Sequence, residues 1–264
     1  MTARTGSLLF VLPSLRSGGA ERVIIRIANA LAERGMPVAL TALDDTGELR
    51  SSLSPDVEFE ALGVTRTRHA LLALWRAVRR RRPRVIVSSL TRVSLLLLML
   101  RPFLPGPVSI VVRQPSIPTR EMKHLRPTLL YRLLFPRLMP RADIIVSQSR
   151  SMTADLGKWL GDAAGRVVTI HNPAPVVDWR ALRSQPSPLA PGANFITVGR
   201  LSAEKGQDVA VEALAAVVSR IPDARLTLIG DGPLRSALQD KVDALGLRDR
   251  VTFAGYIADP LPWI

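Results

Sequence analysis

Two apolar periods alternate along the chain. Short, nearly continuous apolar runs, "SLLFVLP", "PVALTAL", "VEFEAL", "RVIVSSL", "VSIVVRQ", "ADIIVSQS" and "RVVTIHNP", read as strands buried on both faces. Segments with helical spacing fill most of the gaps between them. The clearest is "AERVIIRIANALAERG", where Val23, Ile24, Ile27, Ala30 and Leu31 share one face and Gly35 ends the helix. The periodicity lapses through "PAPVVDWRALRSQPSPLAPGA", which has prolines at 173, 175, 186, 188 and 191. It then restarts as strand "NFITVGR", helix "GQDVAVEALAAVVSRI", strand "ARLTLIG", helix "PLRSALQDKVDALG" and strand "RVTFAGY". Strands that alternate with helices predict an α/β fold with parallel sheets covered on both faces. The expected organisation is a first domain over 1–172, a linker over 173–193 and a second domain over 194–264. That second domain has three strands, about half of the five or six in a complete doubly wound domain.

Composition narrows the function classes. The 264 residues are 47% hydrophobic, enough for a core and too apolar for disorder. There is no cysteine, which excludes disulfides and thiolate metal sites. The three histidines, His69, His124 and His171, lie far apart in sequence, so no dedicated metal site is expected. The run Leu8–Leu12 is too short for a signal-peptide core. The most apolar stretch, "VSLLLLMLRPFLPG", is interrupted by Arg101 and Pro102, well short of the roughly 20 residues of a spanning helix. The chain therefore reads as soluble or peripheral. Its net charge of +14 is uneven: residues 1–192 carry 28 Lys and Arg against 13 Asp and Glu, and residues 193–264 carry 8 against 9. The excess points to an anionic partner for the first part, with arginine-rich coding bias as the functionless alternative. Nucleic acid is not the expected partner, because aromatics at 5% leave nothing for bases to stack on.

Ligands of open parallel sheets bind at the carboxyl ends of strands, and three corners stand out there. In "RSGGAER", Gly18 and Gly19 precede a helix start, which suits either a phosphate or a tight turn. The spacing is neither a G-x-G-x-x-G fingerprint nor a P-loop. In "GRLSAEKG", Arg200 and Lys205 flank another helix start. They are either a clamp for a diphosphate or solvated turn cations, one of them paired with Glu204. In "GDGP", Asp231 is expected to cap the next helix with Pro233 in its first turn. The helix in "ALLALWRAVRRRRPR" has an apolar face of Leu71, Leu74, Trp75 and Val78 and a cationic end of Arg76 and Arg79 to Arg82. It suits docking on an anionic bilayer or simple core packing with a solvated end. "KHLRPTLLYRLLFPRLMPRAD" repeats that basic-apolar theme. In "TIHNP", His171 is placed at a strand end, and Asn172 is expected to fix the turn through backbone hydrogen bonds.

Together these stretches resemble the family 4 glycosyltransferases of the GT-B fold. The resemblance rests on "VLPSLRSGGAERVIIRIANALAERGMPVAL", "IIVSQSRSMTADL" and "VVTIHNPAP", and above all on "ITVGRLSAEKGQDVAVEAL", "ARLTLIGDGPLRSALQ" and "VTFAGYIADPLPW". It implies two Rossmann-like domains facing a cleft, the first for an acceptor and the second for a nucleotide-sugar donor. It also implies retention of anomeric configuration, no cofactor and no metal. Arg200 and Lys205 would then stabilise the leaving diphosphate, and Gly18 and Gly19 would reach the same phosphates. Asn172 joins the candidate substrate-binding residues. The implied acceptor is lipid-linked or a polysaccharide, in cell-envelope or exopolysaccharide synthesis, at the cytoplasmic face of an anionic membrane. Two departures matter. The family's acidic motif, Glu, seven residues, Glu, has no counterpart in these residues, so the second domain is expected to be truncated. The loops "SSLTRVS" and "RQPSIPTRE" hold no histidine, so no catalytic base is assigned, although Arg113 and Gln114 occupy a suitable loop. The alternative is a non-catalytic remnant, or half of a split enzyme, acting as a membrane- or partner-binding module.

Overall fold

The computed structural model describes residues 8–16, 18–64, 69–121, 128–173, 177–184, 186–189 and 191–264. The chain divides into two compact units, Met1–Ala174 and Pro175–Ile264. The first runs β1 (Leu8–Leu12), α1 (Gly19–Glu33), β2 (Val38–Ala42), β3 (Glu58–Ala61), α2 (Ala70–Arg81), β4 (Val85–Ser89), α3 (Thr91–Leu100), β5 (Ser109–Arg113), α4 (Pro118–Glu121), α5 (Thr128–Leu138), β6 (Ile144–Ser147), α6 (Arg150–Leu160) and β7 (Val167–Thr169). Its seven strands are all parallel, in the order β3-β2-β1-β4-β5-β6-β7. The order reverses between β1 and β4. Alternation along β1 splits the core in two. Leu9 and Val11 pack into a cluster with residues of α2, α3, α5 and α6, while Phe10 and Leu12 pack with Ile24, Ile25 and Ala28 of α1.

The second unit contains α7 (Trp179–Arg183), β8 (Asn194–Val198), α8 (Gln207–Val217), β9 (Arg225–Ile229), α9 (Arg235–Ala244) and β10 (Val251–Gly255). Its three strands are parallel in the order β10-β9-β8. The proline-rich stretch is not wholly irregular. Asp178 accepts hydrogen bonds from the backbone N–H groups of Arg180 and Ala181 and so caps the short α7.

The "GDGP" corner differs from expectation. α9 begins only at Arg235, Asp231 Oδ1 accepts from the neighbouring Gly232 N–H at 2.7 Å, and no side chain caps the helix. The glycines serve close backbone packing instead. Leu201 N–H donates to Asp231 O at 3.0 Å, and Leu234 N–H to Leu201 O at 3.1 Å. A Cβ on Gly230 would overlap the carbonyl oxygen of Gly199, and one on Gly232 would overlap that of Leu201. Gly230 also sits at φ 137°, which favours glycine.

α2 also departs from the sequence reading. Leu74 and Val78 are buried in the core, whereas Leu71, Leu72 and Trp75 turn outward with Leu100 and Phe103 to line an apolar groove of about 520 Å³. The expected apolar face is therefore split. The cationic end is thinned as well, because Arg80 pairs with Glu60 and Arg81 pairs with Glu58 and Glu60. His124 and the start of "KHLRPTLL" lie outside the described residues; α5 exposes Leu129, Leu130 and Leu133. No helix among the described residues is long and apolar enough to cross a membrane.

Asp143 ties three elements together. It accepts two hydrogen bonds from Arg101 at 2.8 Å and one from Ile110 N–H at 2.7 Å. The Arg101 hydrogen bonds hold its carboxyl below the usual carboxylate range, with burial opposing. A carboxylate depressed on folding adds stability above its unfolded value and loses it as pH falls through the folded one. Asp143→Asn is therefore expected to lower Tm at neutral pH, with the deficit shrinking in acid below the usual Asp range; thermal melts across that range check it. Gly230→Ala is expected to destabilise the second unit by about 3 kcal/mol or more, from strained φ plus backbone overlap. Denaturant titration reads it, and a wild-type midpoint would overturn the close-approach account.

Candidate functional site

In the first unit the crevice at the β1/β4 reversal is where an open sheet takes ligands. Five strand ends supply it. After β1, Gly18 is the extended N-cap residue of α1 and Gly19 is its first helical residue. Glu21, three residues on, folds back so that a Cβ on Gly18 would overlap its carboxylate, while nothing lies within 4 Å of a Cβ on Gly19. The two glycines therefore differ. Gly18 makes room for Glu21, and Gly19 leaves the helix start open.

After β4, Leu90 takes φ 77°, a strained value for a side chain of its size. That turn closes between Ser89 and Thr91, both buried. β5 ends at Arg113, which is 6% exposed. Its guanidinium donates to Ser89 Oγ at 3.2 Å and to Asn172 Oδ1 at 2.7 Å. Burial pulls the Arg113 guanidinium below its ordinary value, opposed by Glu21. Burial likewise pushes the Glu21 carboxyl up, opposed by a backbone hydrogen bond and by Arg113.

The remaining contacts hold this pair of strand ends. Asn172 Nδ2 donates to Gln148 Oε1 at 2.9 Å, and Gln148 Nε2 donates to Gln114 O at 2.8 Å. Asn172 thus bonds side chains, not the backbone of its own turn as the sequence suggests. His171 lies beyond β7, with Nδ1 3.0 Å from Gln148 O. Gln114 Nε2 reaches Glu121 Oε2 at 2.7 Å, and its Oε1 is buried without a partner.

The second unit presents its own corner after β8. Arg200 and Lys205 are both exposed and close no ion pair among the described residues. The backbone is held from below. Gln207 Nε2 donates to Arg200 O at 3.0 Å, and Leu201 is fully buried. Gly206, at φ 68°, turns the chain into α8. The Lys205 stem passes over Gly199, 3.7 Å from where a Cβ would stand. Glu204 does not pair with either cation. It accepts from Ser202 Oγ at 2.6 Å, and this bond, then its backbone hydrogen bond, hold its carboxyl below the ordinary value, helped by the Lys205 and Arg200 charges. Among the described residues no group of three or more His, Asp and Glu could hold a metal ion.

The structure gathers Gly18, Gly19 and Asn172 at the carboxyl end of one sheet and Arg200 and Lys205 at that of the other. Sequence reasoning missed Glu21, Ser89 and Gln148. Glu21 was detectable, since an acidic residue three positions after a helix N-cap reaches back to it. Ser89 and Gln148 carry no such signal; only the register of β4, β5 and β6 brings them to Arg113 and Asn172.

Comparisons with known proteins place the chain's family and fold. The chain is 28% identical to the lipopolysaccharide core biosynthesis glycosyltransferase LpsE of Rhizobium meliloti, over 94% of this chain and 67% of that protein. It is 44% identical over 61 residues to the alpha-D-kanosaminyltransferase of Streptomyces kanamyceticus, 23% of this chain and 16% of that one. Matches to several curated relatives span only 16–17% of their length. Among solved structures, Anabaena HepE in complex with UDP and glucose superposes with a TM-score of 0.73 at 20% identity, over 97% of this chain and 71% of that one. WaaG, a glycosyltransferase involved in lipopolysaccharide biosynthesis, gives 0.73 at 16% identity, over 97% and 71%. The fold is of the GT-B type. Glycosyl transferases group 1 matches residues 184–262. Because the model of Glycosyltransferase Family 4 runs through residues 17–176, more than half of its length, the chain belongs to that family.

Proposed function

We propose that this chain is the catalytic body of a glycosyltransferase that moves a hexosyl group from a nucleotide-sugar to a lipid-linked or polysaccharide acceptor in cell-envelope synthesis. The observation that carries the reading is the pair of exposed cations, Arg200 and Lys205, without ion-pair partners among the described residues, at the β8–α8 corner of a chain that matches glycosyltransferase families in both units. The bound UDP of HepE supports a nucleoside diphosphate as leaving group. Transfer breaks the bond between the anomeric carbon and the diphosphate oxygen. The electron pair stays on that oxygen, and the acceptor hydroxyl oxygen bonds the carbon and gives up its proton to solvent. Charge growing on the diphosphate meets Arg200, Lys205 and the free N–H groups at the start of α8, so no metal is needed for it. The relatives named above are transferases and do not favour the alternative of a non-catalytic binding module.

Lys205→Ala is expected to leave the fold intact, since the side chain is exposed, and to cut transfer at saturating donor by on the order of 10²-fold. It is also expected to weaken UDP binding. Wild-type turnover together with wild-type UDP affinity would sink the leaving-group role.

The acceptor side of this reading is an anionic membrane surface. The groove of Leu71, Leu72, Trp75, Leu100 and Phe103 supports it: Leu72 is 54% and Phe103 69% exposed, and Arg79 stacks over Trp75 at 5.0 Å. Arg76, Arg82 and Arg84 are exposed nearby in sequence. Apolar insertion with cations at headgroup level is how a peripheral surface holds an anionic leaflet. Phe103→Asp is expected to abolish flotation with phosphatidylglycerol vesicles, and Arg79→Gln to weaken it in a salt-dependent way. Equal flotation with neutral phosphatidylcholine, or none with either lipid, counts against docking.

A further inference from the structure

Arg113 carries a charge that its surroundings do not balance. Only two of the five guanidinium N–H groups find acceptors among the described residues, and both acceptors, Ser89 Oγ and Asn172 Oδ1, are neutral. Glu21 is the carboxylate whose charge Arg113 feels, yet the two close no ion pair within 4.0 Å. The same unit shows what a structural arginine looks like. Arg101 meets Asp143 in a bidentate pair at 2.8 Å while remaining about one-third exposed. Arg113 is far more buried and has no such partner.

Nothing in the fold requires the charge. The residues before it on β5, Ile110 and Val112, are apolar and fully buried, and burying an unmatched guanidinium at the strand end is costly. What the surroundings do supply is orientation. Ser89 holds one side of the guanidinium from β4. Asn172 holds the other from beyond β7 and is itself fixed by Gln148. Three N–H groups remain for a ligand, in a fork whose plane is set beforehand and whose geometry matches oxyanions.

We infer that Arg113 is the oxyanion-binding residue of the first unit and holds a phosphoryl group of a bound substrate at the carboxyl end of β5. The phosphoryl group supplies the counter-charge that the described residues do not. Glu21, whose charge the same guanidinium feels, limits affinity by repelling that group. Assigning the phosphoryl group to the acceptor rests on the transferase reading; the binding itself does not.

Titration of the full chain with inorganic phosphate, by ³¹P NMR at constant ionic strength, tests this. Arg113→Lys keeps the charge and loses the fork, so phosphate affinity is expected to fall at least about tenfold. Glu21→Gln removes the repelling charge and is expected to tighten binding, a gain that misfolding does not imitate. Arg34→Gln, exposed at the end of α1, is expected to change nothing; a loss there equal to that of Arg113→Lys means that the loss is not specific to the Arg113 fork, which overturns the inference. Unchanged affinity in folded Arg113→Lys overturns it too. If Arg113→Lys does not fold, Glu21→Gln decides alone, tighter binding supporting the inference and unchanged binding overturning it. A parallel UDP titration identifies the source. Unchanged UDP affinity in Arg113→Lys assigns the phosphoryl group to the acceptor, and weakened affinity assigns it to the donor; either result supports the oxyanion role. Phosphate binding that depends on Arg113 without any sugar transfer would separate failure of the transferase reading from failure of this one.

Discussion

A parallel β-ladder leaves the chain no choice about where its strand-to-helix turns go. Every strand runs the same way, so every turn that follows a strand lands on one edge of the sheet, and every return lands on the other. In the first unit that edge collects Gly18, Ser89, Arg113, Gln148 and Asn172 from residues spread over most of its length. None of them is brought there by affinity for another. The hydrophobic ladder brings them, through Leu9 to Leu12 and through Ile110 and Val112, all almost completely buried. Each large side chain so buried contributes about 1.5–3 kcal/mol, whereas an exposed ion pair such as Arg248–Asp243 is screened by solvent and adds little. The core therefore fixes the frame, and the polar edge is free to be chosen for chemistry.

That division explains which parts of the molecule are legible in the sequence. The ten strands among the described residues and the long helices follow largely from apolar period, because the core that buries them is what the period records. The corner at Arg200 and Lys205 is legible too, since both residues lie within one turn between a strand and a helix. Asn172 is legible as a polar residue at a strand end, but its partners are not. Its contact with Arg113 spans 59 positions and exists only because β5, β6 and β7 are neighbours in the sheet. Asp231 misleads for a related reason. Aspartate before Gly-Pro suits a helix cap locally, and the tertiary need for Gly230 and Gly232 to lie against the Gly199–Leu201 backbone delays the helix to Arg235. The face of α2 is misread because helical spacing says which residues share a side and not what covers it; Leu74 meets the core, whereas Trp75 meets Phe103.

The charge asymmetry along the sequence also changes meaning once the turns are placed. The second unit is close to neutral overall, yet its β8–α8 corner is cationic, because Glu204 is held by Ser202 and Arg200 and Lys205 have no ion-pair partner among the described residues. The first unit is strongly basic, but several of those arginines are spent on structure, Arg80 and Arg81 on β3 and Arg101 on Asp143. Net charge is thus a poor guide to where an anion binds. The informative quantity is charge left over after local pairing.

By that measure the two edges would, on the proposed reading, handle anions differently. Arg200 and Lys205 stand in water, where each attracts phosphate over a Debye length of about 8 Å but is screened by salt and free to move. Arg113 is largely buried at its strand end, where the same charge acts more strongly than in water, so an unmatched state is costly and a matched one is well oriented. Exposed cations suit a group that must gain charge during a reaction and then depart. A buried, pre-oriented fork suits a group that keeps its charge throughout and must be held still while chemistry happens beside it.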